Sequence, residues 1–360
     1  MKGGKCMPSI VAVELAELPY RVSQNEVMIA IKRMFQHRYE HIDRLLSIFE
    51  HDHIQSRSFV QPLHWYMTAH SFAEKNELYI QHAVRYGKEA IERCLHRGNI
   101  PFEDIEAIFF ISTTGIATPS IEARIMNELP FSVHTKRIPI WGLGCAGGAA
   151  GIARAVDYCR AYPKAKVLVL AVEFCSLTFQ LDDVSKSNLI GTSLFADGVG
   201  CACVVGDDVQ LQSIAPQVID MQSIFMRNME DVMGWDIKDN GFYVVFSRHI
   251  PTIIRQSIGE IVELFLRKNG ICVSQIEHFV VHPGGKKVLD AYQEGLHIDE
   301  NKLTHAIHVL REHGNMSSVT VLAVLQRFLQ QPITQQHGLM MAMGPGFSCE
   351  LLLLKWGEKS

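Results

Sequence analysis

Three short stretches carry residue types that together could move an acyl group. In WGLGCAGG a single cysteine, Cys145, stands among glycines between a strand-like run, RIPIW, and a helix-like run, AGGAAGIARAVDYC. Gly142, Gly144, Gly147 and Gly148 permit a tight turn there and close approach by another backbone or a ligand. A thiol at a helix start faces free N–H groups and the positive end of the helix dipole, which favours the nucleophilic thiolate. A free cysteine is as often a small buried hydrophobe, and the local sequence leaves both readings open. In EHFVVHPGG, His282 should close a buried strand at its C-terminal end, where α/β active sites gather. An imidazole near a thiol stabilises the thiolate as an ion pair. Asn315, in HGNMSS, opens a helix, as an ordinary N-cap also would. His51 and His53 in EHDH, like the other histidines, read as surface or turn residues.

The elements that must position these residues repeat along the chain. AIERCLHRGNIPFEDIEAIFFISTTG, from Ala90, and IVELFLRKNGICVSQIEHFVVHPGG, from Ile261, both read helix, short turn, buried strand. Aligning Ile105 with Ile276 sets an offset of 171 residues (276 less 105). At that offset WGLGCAGGAAGIARAVDYC falls on EHGNMSSVTVLAVLQRFLQ, and KVLVLAVEF on HGLMMAMGP. Two closing strands, SLFADGVGCACVVG and GPGFSCELLLLKWG, need a different offset. The expectation is two α/β halves, residues 1–210 carrying the cysteine and 211–360 carrying the histidine and asparagine. Their mixed sheets would lie back to back across shared central helices. Ile111 corresponds to His282, so a histidine stands where its mate is a core residue.

Composition narrows the function. With 360 residues, 48% hydrophobic, 20% charged and a formal net charge of −4, the chain reads as an ordinary globular enzyme without a nucleic-acid footprint. Nine cysteines occur without a CxxC pair, which argues against a zinc site or a disulfide framework and fits a reducing cytoplasm. Glu14 and Glu17 interrupt the N-terminal apolar run, against a signal peptide. No stretch reaches the ~18 apolar residues of a membrane span.

WGLGCAGG, VVHPGG, HGNMSS and GPGF occur in an order and spacing that resembles the type III polyketide synthases, the chalcone-synthase-like branch of the thiolase superfamily. Within that family the chain looks most similar to bacterial alkylpyrone synthases. The resemblance implies a thiolase fold, with duplicated α/β halves in a five-layered α-β-α-β-α arrangement. It implies that Cys145, His282 and Asn315 are catalytic. Cys145 as thiolate, paired with protonated His282, would take an acyl group from an acyl-CoA starter. His282 and Asn315 would hold malonyl-CoA through decarboxylation, and iterative condensation would release alkylpyrones or, by another ring closure, alkylresorcinols. No cofactor or metal is implied, since the substrates are CoA thioesters.

Other positions follow from the same resemblance. Phe195 matches a gatekeeping aromatic, and Thr113, Thr178, Gly191 and Ser317 match cavity positions. Thr118 matches a residue that reaches into a partner's cavity, which implies a homodimer. Gly284 and Gly285 match backbone that lets the pantetheine arm pass, and Gly344 and Pro345 match a cavity-shaping turn. The sequence departs from the plant pattern at Val244, where a second gatekeeping Phe is expected, so the cavity mouth should be wider or differently shaped. The basic residues for CoA phosphates are poorly matched; Arg44 and Arg57 are the candidates. An enzyme acting on the product is a further implied partner.

Two rivals share the residue trio. An initiating ketoacyl synthase of fatty-acid synthesis would condense once, on acyl carrier protein. A cysteine acyl-thioester hydrolase would pass the acyl group to water.

Overall fold

A computed structural model describes residues 6–38, 42, 46–51, 53–211, 213–333 and 336–357. The buried, β-branched runs form the strands on which the site is built. In the first half these are β1 (Ser9–Leu15), β4 (Ile105–Ser112), β5 (Lys136–Trp141), β6 (Lys166–Phe174) and β7 (Asp197–Val205). In the second they are β8 (Pro216–Phe225), β11 (Ile276–Val281), β12 (His337–Gly344) and β13 (Ser348–Trp356). Two small ribbons, β2 (Tyr20–Ser23) with β3 (Ser56–Phe59) and β9 (Met233–Lys238) with β10 (Gly241–Phe246), flank them.

The pairing repeats between the halves. β4 runs parallel to β6, β6 antiparallel to β7, and β7 antiparallel to β1. Likewise β11 runs parallel to β12, β12 antiparallel to β13, and β13 antiparallel to β8. β1 and β8 meet through one residue pair, Ser9 with Gln217, which joins the two units into one nine-stranded sheet in the order 11-12-13-8-1-7-6-4-5. The first half alone adds an outer strand, β5, paired with β4 on one side only.

Helices complete the layers. They are α1 (Gln24–Phe35), α2 (Ile48–His51), α3 (Phe72–Gly98), α4 (Ile121–Met126), α5 (Gly147–Ala161) and α6 (Lys186–Leu194), then α7 (Ile250–Lys268), α8 (Lys286–Leu296), α9 (Thr304–His313) and α10 (Ser318–Leu329). Period-two alternation sorts the strands: Phe109, Ile111, Val167 and Val169 join the core with α5 and α10, whereas Ile108, Phe110, Leu168 and Leu170 face α3. α5 and α10 are apolar almost all round because sheet lies on both sides of them. With α3 outside one unit and α7 packed on α8 and β13 outside the other, the order is helix, sheet, helix, sheet, helix. This is the α-β-α-β-α arrangement of the thiolase fold.

The offset of 171 recurs in the element starts: β4 at 105 and β11 at 276, α5 at 147 and α10 at 318, β6 at 166 and β12 at 337. Gly148 explains how the two central helices can touch. A Cβ there would lie 2.2 Å from the Ser318 carbonyl oxygen, so backbone meets backbone where the paired helices begin.

Candidate active site

Cys145 sits in a 3-10 turn, Gly144–Ala146, that leads from β5 into α5. Gly144 has φ +45°, and a Cβ on it would lie 2.6 Å from the Pro345 ring. A Cβ on Gly344 would lie 2.3 Å from the Leu143 carbonyl oxygen. Gly344 and Pro345 therefore pack against the cysteine turn. The Cys145 Sγ is 3.8 Å from Ser317 Oγ and 4.0 Å from Asn315 Oδ1.

Asn315 lies three residues before the start of α10, whose N-cap is Ser317, so it is not itself the cap. It forms an isolated parallel bridge with Phe195: its N–H donates to Leu194 O (2.9 Å) and its carbonyl accepts from Ala196 N–H (2.8 Å). Its Oδ1 accepts from Ser317 N–H at 2.9 Å, which fixes the amide orientation, and its Nδ2 donates to Gly284 O at 3.1 Å. One amide hydrogen is left for a substrate. Ser317 holds φ 50° and ψ −127°, a backbone region that costs a non-glycine residue ~1–3 kcal/mol.

His282 follows the last residue of β11, as expected, and its backbone N–H donates to Met341 O. The side chain is buried, and neither ring nitrogen has a protein hydrogen-bond partner. A Cβ on Gly284 would stand 3.6 Å from His282 Nε2, in ordinary contact with the ring. Gly284 thus lies between His282 and Asn315, touching one through its Cα face and the other through its carbonyl. The repeat brings the three residues together from positions 145, 282 and 315.

Burial governs their charge. It pushes the Cys145 thiol up to about 12, outweighing the opposing hydrogen bonds from Ser317 and Asn315, and it pulls His282 down to about 3. Desolvation thus works against both ions of the expected thiolate–imidazolium pair.

Glu173, unremarked in the sequence reading, lies beneath this site. It is fully buried and accepts hydrogen bonds from Ser318 Oγ (2.6 Å), Thr114 Oγ1 (3.0 Å), Thr113 N (3.1 Å) and Thr113 Oγ1 (3.2 Å), with Ser317 Oγ at 3.5 Å. Even so, burial pushes its carboxyl up to about 7. A lone acidic residue in the apolar strand KVLVLAVEF was the signal that could have found it. Thr113 consequently serves this carboxyl and Ser317 joins it to the thiol.

Gly191, Phe195 and Val244 converge at the mouth of an apolar cleft. A Cβ on Gly191 would lie 3.2 Å from the Phe195 ring and 3.4 Å from Val244. Thr178 lines the same cleft, and its hydroxyl is held by Cys175 O. Trp235 also lines this cleft, with its ring 6.3 Å from that of Phe195. The cleft holds about 620 Å3 of empty space, including its opening to solvent, and α1 supplies Val27, Ala30, Ile31 and Met34 to its wall. Gly285 begins α8 against Leu194. Thr118 lies on the exposed surface, outside the cleft of its own chain. Arg57 is only 1% exposed and donates to Thr192 O and Phe195 O, so the expectation that it binds CoA phosphates is corrected: it is committed to the interior. Arg44 lies outside the described residues. Among the described residues no three His, Cys, Asp or Glu side chains cluster as a metal site would need.

Comparison with known proteins agrees with this geometry. The chain matches the chalcone and stilbene synthases, the N-terminal domain over residues 4–209 and the C-terminal domain over 217–356. It is 49% identical to a Bacillus subtilis (strain 168) protein provisionally named a chalcone synthase, over 97% of this chain and 99% of that one. It is 31% identical to the 1,3,6,8-tetrahydroxynaphthalene synthase of Streptomyces peucetius subsp. caesius, over 97% and 93%. The crystal structure of the corresponding synthase from Streptomyces coelicolor A3(2), a bacterial type III polyketide synthase, superposes with a TM-score of 0.92 at 28% identity, covering 98% of this chain and all of that one. A nucleophile turn, a buried imidazole and a carboxamide carried on two matching halves, together with these matches over both halves, make the chain a member of the chalcone and stilbene synthase family, a type III polyketide synthase of the bacterial kind.

Proposed function

We propose that this synthase loads a long-chain fatty acyl group from acyl-CoA onto Cys145, extends it with malonyl-CoA and releases an alkylpyrone. The observation that supports the starter assignment is the apolar cleft lined by Phe195, to which α1 contributes the apolar side chains of Val27, Ala30, Ile31 and Met34. Neutral His282 takes the thiol proton at Nε2 as Cys145 attacks the thioester and keeps it, while CoA departs as the thiolate and is protonated by solvent. Malonyl-CoA then places its thioester carbonyl against His282 Nε2–H and the free Asn315 amide hydrogen. Loss of carbon dioxide builds negative charge on that oxygen, where the two donors act; one such donor is worth about 10²–10³ in rate. The enolate carbon attacks the Cys145 thioester and displaces Cys145 as a thiolate, which takes its proton back from His282. Burial of the trio keeps water from both the enolate and the acyl-enzyme. No cofactor takes part.

A homodimer in the cytoplasm completes the reading. β5 is an edge strand whose outer side pairs with nothing among the described residues, and Trp141 at its end and nearby Ile116 are about half exposed. No helix of the described residues is long and apolar enough to cross a membrane.

The test is product mass spectrometry with malonyl-CoA and acyl-CoA starters of graded length, on a preparation whose mass is fixed by sedimentation. Cyclised triketides or tetraketides that retain a long alkyl chain, from a dimer, are the expected result. An alkyl-free hydroxylated aromatic made from malonyl-CoA alone, as the names of the tetrahydroxynaphthalene synthases suggest for those proteins, would remove the fatty starter. Free fatty acid as the sole product would remove condensation altogether.

A further inference from the structure

Arg57, on β3, is a full cation with almost no exposure, and its setting is unusual for a charge. Its Nη1 donates to Thr192 O and to Phe195 O, both at 2.7 Å. These carbonyls close α6, at the negative end of the helix dipole, where a cation is favoured. The guanidinium also stacks over the Phe59 ring, 5.4 Å from its centroid, and it stabilises the carboxylate of buried Asp197. Asp197 in turn accepts hydrogen bonds from Val60 N, Ser176 N and Ser176 Oγ. On its other side the Arg57 stem packs on bare Gly314: a Cβ there would lie 2.8 Å from Arg57 Cδ.

These contacts all fall on one junction. Leu194–Ala196 is the segment that pairs with Asn315, and Gly314 is the residue immediately before Asn315. One side chain therefore grips the carbonyl ends of the first strip and the backbone that leads into the second. We infer that Arg57 is a positioning residue for the condensation: it sets the register between the Phe195 segment and Asn315, and so aims the carboxamide at the malonyl thioester oxygen. It does this without touching substrate. The inference rests on the catalytic reading of Asn315 proposed above.

The two partial reactions separate this role from a general structural one. Acylation of Cys145 by acetyl-CoA, a starter too short to depend on the gate, needs the thiol and His282. Decarboxylation of malonyl-CoA needs His282 and Asn315. Arg57→Lys keeps the charge beside Asp197 but not the planar fork. A displacement of ~1 Å can cost on the order of 10²-fold in rate, so kcat for carbon dioxide release from malonyl-CoA should fall by about ten- to a hundredfold. Its KM and the single-turnover rate of Cys145 acylation should stay within about threefold, as expected when only transition-state contacts are lost. Arg57→Gln, which retains donors but loses the charge, should show the same split more strongly and serves if the lysine variant does not fold. Unchanged decarboxylation, or decarboxylation and acylation falling in parallel, would overturn the inference. A wild-type protein that releases no carbon dioxide would overturn the underlying reading and the inference with it.

Discussion

At the scale of single residues, the site is made by desolvation as much as by contact. Glu173 shows this most directly, since four good donors do not keep its carboxyl at its ordinary 4.5; burial holds it at about 7. The folded state therefore binds a proton that the unfolded chain releases between those two values. Its contribution is fully present below about 4.5 and is lost as pH rises through about 7, so stability falls with rising pH across that window. Asp197, raised from 3.8 to about 7 by burial, acts in the same sense. In Glu173→Gln one of the two groups is gone, and the slope of stability against pH from about 5 to 7 should be shallower by up to ~1.4 kcal/mol per unit. Urea titrations at stepped pH measure this, and coincident slopes for the two proteins would show that Glu173 is ionised in the fold. Cys145, His282 and Asn315 were legible in the sequence because glycines and a repeat marked their turns. The desolvation that acts on Cys145 and His282 was not, since it depends on burial that only the folded chain creates. Arg57 misled for the same reason: a basic side chain reads as a surface contact until its carbonyl partners are known.

At the scale of elements, the repeat at 171 residues was readable because paired helices and strands begin at the same spacing in both halves. β4 and β11, α5 and α10, and β6 and β12 all begin in step. The cleft wall was not readable. α1 contributes Val27, Ala30, Ile31 and Met34 at spacings that suit any helix facing a core. Nothing in that pattern tells a ligand from packed protein. The close crossing of α5 and α10 is the element-level contact most exposed to change. Gly148→Ala would set a Cβ 2.2 Å from Ser318 O and 2.8 Å from Val321 Cγ1. Overpacking of this kind typically costs ~1–3 kcal/mol, and the rigid backbone on one side puts the expectation at the upper end. Gly234→Ala, where a Cβ would meet nothing within 4 Å, is the near-neutral control. Equal urea midpoints for the two variants would mean the helices are not held as described.

At the scale of the molecule, duplication divides the chemistry. The first half supplies the thiol and the Phe195 gate, and the second supplies both groups assigned to the enolate. The halves meet where α5 and α10 start together, so the thiol is delivered to Asn315 at 4.0 Å by the packing of the whole fold. The nine-stranded continuity through Ser9 and Gln217 was not foreseen, since a single pairing leaves no trace in either strand's pattern. The central claim is that buried Cys145 carries the growing chain. Intact-protein mass spectrometry after mixing the enzyme with a long-chain acyl-CoA, without malonyl-CoA, tests it most directly. The account predicts one acyl adduct, mapped to the peptide containing Cys145 and absent from Cys145→Ala. An adduct on exposed Cys272 instead, or fatty acid released from an unmodified protein, would contradict it.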